Sequence, residues 1–169
     1  MNKAVLVAAP HTSNWDGFWM LAAAGFYQVK LSWMGKKSLV DHPLGGVVRW
    51  LGCVPVDRAS AGDVAQQSAQ AFSQTDRMIL AIAPEGTRAL AEAWKSGFYR
   101  IAVAAKVPLI LSVLDYQHRT IRIDGTFEPT GDYEADLPKI QARYAGAGGR
   151  HDGRFAAGSA GQETPEDKG

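Results

Sequence analysis

The chain predicts a single α/β domain: a mixed, mostly parallel sheet flanked by helices on both faces. Three observations carry that expectation. Apolar runs of strand length recur along the chain, amphipathic segments separate them, and the two kinds alternate through most of its length. Runs such as 4–9 (Ala-Val-Leu-Val-Ala-Ala) and 78–83 (Met-Ile-Leu-Ala-Ile-Ala) lack the polar alternation of a half-exposed strand, so both their faces should be covered. A chain of 169 residues fills one core well and leaves little for a second.

The first strand, 4–9, is stopped by Pro10. Asp16 caps or opens the next element, whose Phe18, Trp19, Leu21, Ala22 and Phe26 form a helical stripe. A short strand over 31–34 follows. Pro43 then starts a helix carrying Leu44, Val47, Val48 and Leu51. Residues 53–56 make another short strand, and 62–73, rich in Ala and Gln, a helix with Val64, Ala65, Ala69 and Phe72 inward. The clearest buried strand, 78–83, ends at Pro84. A helix over 97–106 buries Phe98, Ile101, Ala102 and Ala105, and 108–114 is again a strand. Residues 120–123 alternate like a half-exposed strand, and 135–144 form a last helix. The domain is therefore 1–145. Residues 146–169 are a Gly/Ala-rich tail, too poor in apolar surface to offset its ordering entropy and expected to be mobile.

Composition excludes several classes. Hydrophobic residues make up 46% of the chain, and 18 Lys+Arg stand against 17 Asp+Glu, so bulk charge argues against a nucleic-acid partner. The lone Cys53 rules out an intrachain disulfide and a cysteine-based zinc cluster, which suits a reducing compartment; its apolar surroundings make it a buried small hydrophobe. Residues 1–10 lack the features of a signal peptide, and no stretch approaches the ~18 apolar residues that span a bilayer. The expected location is the cytoplasm, with peripheral contact to the cytoplasmic membrane face as an option. Between positions 30 and 58, Lys30, Lys36, Lys37, Arg49 and Arg58 face two carboxylates, Asp41 and Asp57. A solvated basic face explains this, as does an anionic substrate or membrane surface.

Two short stretches carry chemistry. In Pro10-His11-Thr12-Ser13-Asn14-Trp15-Asp16, an imidazole titrating near neutrality precedes a carboxylate that a tight turn could bring to its ring. There the carboxylate would fix the tautomer and stabilise the imidazolium. The plainer alternative is a loop histidine beside a helix-capping aspartate. Ser13 lacks a nucleophile elbow, and a mixed metal site from His11, Asp16, His42 and Glu85 lacks close His-His spacing. In Glu85-Gly86-Thr87-Arg88, Gly86 lets backbone approach a ligand, Thr87 offers a hydroxyl, and Arg88 can grip a phosphate bidentately; a surface turn is the plainer reading. Both stretches follow apolar strands, where α/β proteins build sites.

In order, these pieces resemble the glycerolipid (lysophosphatidic-acid type) acyltransferase family. His11 and Asp16 match its first motif, a histidine and an aspartate separated by four residues. Gly52-Cys53-Val54-Pro55-Val56-Asp57-Arg58 matches its second block, and Glu85-Gly86-Thr87-Arg88 its third. Lys95-Ser96-Gly97-Phe98 and Val107-Pro108-Leu109-Ile110 look like its later segments, so the likeness covers 4–112. The resemblance implies an O-acyltransferase in which His11 deprotonates a hydroxyl of a lysophospholipid or glycerol-phosphate acceptor and Asp16 orients it. The acyl group would come from acyl-CoA or acyl carrier protein, with no other cofactor and no metal. Arg58, Glu85, Gly86, Thr87 and Arg88 would bind the acceptor's phosphate end, assisted by Lys36 or Lys37. Phe18, Trp19, Trp33, Trp50 and Trp94 could line an acyl groove or touch lipid, although most are expected in the core. The rivals are a thioesterase or lipid hydrolase using the same His/Asp pair, and a non-catalytic lipid-binding module.

Overall fold

Strand β1 (Lys3–Ala9) occupies the interior of the sheet because its run of small and branched apolar residues can be buried on both sides. The computed structural model describes residues 2–57, 64–86 and 93–149. Among these, β1, β2 (Leu31–Lys36), β3 (Cys53–Val56), β4 (Met78–Ile82), β5 (Leu109–Asp115) and β6 (Thr120–Phe127) form one sheet in the order β3-β2-β4-β1-β5-β6. All neighbours run parallel except β5 and β6. Five helices connect or follow them: α1 (Asn14–Phe26), α2 (Gly45–Trp50), α3 (Val64–Ser73), α4 (Gly97–Ala105) and α5 (Tyr133–Ala142).

The connections leave β1 and β4 in opposite directions. The path from β1 through α1 passes β4 to reach β2, whereas the path from β4 through α4 passes β1 to reach β5. Right-handed crossovers then put α1 on one face and α4 on the other. Burial agrees. Val5, Val7 and Ala9 join Leu80, Leu109, Leu111 and Val113 in the main core, closed by Phe72 of α3, Phe98 and Ile101 of α4, and Ile140 of α5. Leu6 and Ala8 belong to a smaller cluster with Leu114, which Met20 of α1 covers. Both faces are covered, but very unequally.

That inequality corrects the expected core. Phe18 and Trp19 on α1 and Trp50 on α2 are exposed, Trp33 is half-buried, and only Trp94 of the five aromatics enters the core. On α1 a second stripe, Met20, Ala23 and Ala24, competes with the aromatic one. It is the stripe that faces the sheet, across an apolar cavity that it lines together with Leu6, Ile79 and Ile110. Leu44, Val47 and Leu51 are turned to solvent as well.

Boundaries differ locally. The last helix starts at Tyr133 because Asp132 caps it, its carboxylate accepting the Ala135 N–H at 3.1 Å. Strand β6 runs on to Phe127 through Gly125, a residue at φ +93° that punctuates the sequence without ending the ladder. Of the tail, 146–149 are described: the Gly148 carbonyl accepts the Tyr116 N–H at 2.9 Å, and Gly149 lies against Thr12. Residues 150–169, and positions 62 and 63 of the expected third helix, lie outside the described residues.

Candidate active site

Strands β1 and β4 pair in parallel, Lys3 opposite Met78 and Val7 opposite Ile82, so the turns beyond their carboxyl ends emerge side by side. This is also where the crossovers diverge, the position at which open α/β sheets hold ligands. The consequence is a contact across 74 residues of sequence. The His11 N–H donates to the Glu85 carboxylate at 2.9 Å (Oε2) and 3.2 Å (Oε1).

The turn after β1 is organised by the start of α1. Ser13, extended at φ −150° and ψ 158°, is the N-cap, and its Oγ accepts the Trp15 N–H at 3.2 Å. Asp16 sits three residues in and completes a capping box by accepting the Ser13 N–H at 2.8 Å. The cap is therefore Ser13, and Asp16 is left to serve the ring. Its Oδ2 also accepts the Thr12 N–H at 2.7 Å and lies 3.3 Å from His11 Nδ1, while Oδ1 accepts the Tyr116 hydroxyl at 2.6 Å. Asp16 is 1% exposed. Burial alone would raise its pKa, but the hydrogen bonds from His11, Tyr116, Ser13 and Thr12 outweigh it and hold the carboxyl below the usual range. It is an ionised orienting group.

The turn after β4 is different. Glu85 is 3% exposed, and burial pushes its carboxyl up to about 7 against the lowering influence of the His11 N–H and ring. Gly86 adopts φ +65°, a conformation that favours glycine, and the flexible Lys95 side chain lies over it.

Between the turns opens a cleft of about 870 Å³. His11, Gly17 and Met20 line one side, and Trp33, Ala81 and Gly86 line the other. A second, apolar cavity of about 370 Å³ shares Met20 and Leu31 with it and runs beneath α1. The cleft thus sets His11 beside a largely apolar lining that borders a second apolar cavity.

Of the residues singled out from sequence, His11, Asp16, Glu85 and Gly86 converge. Glu85, expected at an acceptor phosphate, is instead buried and turned to the His11 backbone. Lys36 and Lys37 stand exposed at the carboxyl end of β2, on the same edge of the sheet, and neither lines the cleft. Arg58, Thr87 and Arg88 lie outside the described residues. His42 is exposed, its Nδ1 accepting the Leu44 N–H at 3.4 Å, and among the described residues no three His, Cys, Asp or Glu side chains gather as a metal would need. Sequence reasoning missed Tyr116. The available signal was its position just past the carboxyl end of a strand that neighbours β1.

Comparison with known proteins places this geometry. The acyltransferase family model matches residues 1–113, well over half of the chain. A probable 1-acyl-sn-glycerol-3-phosphate acyltransferase of Mycoplasma pneumoniae is 33% identical over 118 residues, 64% of this chain and 43% of that protein. The 1-acyl-sn-glycerol-3-phosphate acyltransferase of Haemophilus influenzae is 29% identical over 121 residues, 68% and 49% respectively. The chain therefore spans less than half the length of these curated relatives. In fold it matches the crystal structure of the 1-acyl-sn-glycerophosphate (LPA) acyltransferase PlsC of Thermotoga maritima with a TM-score of 0.57 at 20% identity, over 83% of this chain and 63% of that one. By the extent of the family match, the chain belongs to the acyltransferase family.

Proposed function

We propose that the chain moves a fatty acyl group from a thioester donor, acyl-CoA or acyl carrier protein, to the hydroxyl of a 1-acyl-glycerol-3-phosphate or similar lysophospholipid. The observation that carries this reading is the His11 ring, paired through Nδ1 with ionised Asp16 while lining a cleft of mixed polarity. Nε2 then takes the proton of the acceptor hydroxyl as its oxygen attacks the thioester carbonyl. The tetrahedral intermediate expels the thiolate, which recovers the proton from the imidazolium. Asp16 stays ionised and stabilises that cation. No acyl-enzyme and no metal enters the reaction so written. Arg58, Thr87 and Arg88 meet the acceptor phosphate, with Lys36 and Lys37 assisting, and Gly86 leaves room for the headgroup.

A lipid acceptor implies a lipid surface. No helix among the described residues is long and apolar enough to cross a membrane. The exposed Trp15, Phe18 and Trp19 of α1, and Trp50 with Arg49 on α2, suit peripheral contact with an anionic, cytoplasmic-facing bilayer.

The test supplies labelled acyl-CoA with vesicles carrying 1-acyl-glycerol-3-phosphate, and reads the diacyl product by mass spectrometry and the free thiol by colour. Thiol release that needs the acceptor and matches the product supports transfer. Equal release without acceptor makes the chain a thioesterase, and vesicle binding without thiol release makes it a binding module; either overturns the reading.

A further inference from the structure

We infer that Tyr116, on the turn between β5 and β6, is a positioning residue of the base assembly: its phenol locks the Asp16 carboxylate so that Oδ2 stays on the His11 ring. The assembly then has three side chains from three segments. The contribution to turnover rests on the acyl-transfer reading, whereas the effect on the imidazole does not.

Register explains how a residue 100 positions away reaches the pair. Ala9 at the end of β1 pairs with Val113 of β5, so Thr12 and Tyr116 each lie three residues beyond that rung. The phenol donates to Asp16 Oδ1 at 2.6 Å, the short distance of a charge-assisted bond. The two carboxylate oxygens are thereby divided. Oδ2 serves the Thr12 and Ser13 N–H groups and the His11 ring, and Oδ1 serves Tyr116. Without the phenol, Oδ1 of a carboxylate 1% exposed loses its side-chain donor; the Thr12 and Ser13 N–H groups still keep Oδ2 beside the ring, but the carboxylate is less firmly held about its Cβ–Cγ bond.

Tyr116 is itself braced. Its N–H donates to the Gly148 carbonyl at 2.9 Å. Its turn is closed by Asp115, which accepts the His118 N–H at 3.2 Å and lies 2.7 Å from His118 Nδ1.

Among the described residues the charged groups facing His11 are Asp16 from α1 and Glu85 from the turn after β4, with the neutral phenol of Tyr116 acting through Asp16; Asp115 and His118 behind it are committed to each other. Donation by Tyr116 draws charge from Asp16. Removing it leaves a more basic carboxylate, which favours the imidazolium and raises the pH at which His11 becomes an available base.

The experiment compares wild type, Tyr116→Phe and Tyr144→Phe. Tyr144 is a control that also loses one buried hydroxyl bond, to the Val7 carbonyl, away from Asp16. NMR follows the four histidines through pH, with His11 assigned by the signal missing in His11→Ala. In Tyr116→Phe the His11 signal should titrate at a higher pH than in wild type. In the transfer assay kcat should fall about tenfold, a fraction of what a placed base supplies, with both KM values unchanged and the acid limb of the pH profile shifted upward. Tyr144→Phe should lower Tm and leave the His11 titration in place. Substituting 3-fluorotyrosine at position 116, a stronger donor of nearly native shape, should move the titration down, and it decides the matter if Tyr116→Phe does not fold. An unmoved titration in the folded variants, or an equal shift in Tyr144→Phe, overturns the inference. Absence of transfer by wild type would sink the acyl-transfer reading and leave the titration to judge Tyr116.

Discussion

The turns beyond β1 and β4 lie side by side, each with a carboxyl almost fully buried, and they set those carboxyls in opposite states. Asp16 receives two backbone N–H groups, a phenol and an imidazole, and is held ionised below its ordinary range. Among the described residues Glu85 receives one backbone N–H, shared between its oxygens, and burial pushes it to about 7. Burial is similar; the number of donors differs. Buried carboxyls therefore take their charge from the hydrogen-bond donors around them, side chain and backbone alike, and here His11 sits between one fixed anion and one that titrates near neutrality.

The sharpest way to break this comparison is Asp16→Asn. The amide keeps the volume and one acceptor, so the Ser13 cap should still close and the fold persist. The anion that stabilises imidazolium is lost, and kcat for acyl transfer should fall by about 10²–10⁴-fold. A rate within twofold of wild type would reduce Asp16 to a capping residue. His11→Ala should cost at least as much, since it removes the imidazole that takes the proton.

The difference between the turns was only partly legible in the sequence. Strand-length apolar runs fixed the order of elements and the burial of β1 and β4, because unbroken runs need cover on both faces. Local spacing brought Asp16 toward His11, since a capping box closes within four residues. The contact between His11 and Glu85 was not legible, because it depends on β4 being slotted beside β1, a pairing that no local pattern specifies. Tyr116 was hidden for the same reason. The exposed aromatics of α1 were misjudged because periodicity locates a stripe and is silent on which of two stripes meets the sheet.

A second test acts on the other turn. With Glu85 at about 7 folded and at its ordinary 4.5 unfolded, the unfolded chain releases its proton first as pH rises between those values. Stability should therefore fall across that window by about 3 kcal/mol, fully present below pH 4.5 and lost above 7. Glu85→Gln removes the titration. Denaturant unfolding from pH 4 to 8 should show the variant gaining on wild type through that range, while transfer drops as the His11 backbone loses a charged acceptor. Parallel stability curves would mean that Glu85 is already ionised when folded, and the contrast with Asp16 would collapse.

The smallest effect comes from a third buried carboxyl, remote from the cleft, which asks whether donor number sets the state in general. Asp136 on α5 is 0% exposed and accepts from the Thr130 N–H (2.8 Å) and hydroxyl (2.9 Å), from the Tyr99 hydroxyl (2.7 Å) and from Lys139 (3.4 Å). Burial would raise its pKa, yet these donors bring it down to about 2, as they do in kind for Asp16. The linkage runs opposite to that of Glu85: between pH 4 and 2 the unfolded chain binds the proton first, so the stability contributed at neutral pH, about 2 kcal/mol, is lost as pH falls. Asp136→Asn should be less stable than wild type at pH 7, with the gap closing toward pH 2, and transfer at neutral pH should be unaffected. A gap that stays constant with pH would show that Asp136 holds α4 to α5 by shape and hydrogen-bond count alone, and that the ionisation of Asp16 owes more to its neighbouring imidazole than to the donors it shares in kind with Asp136.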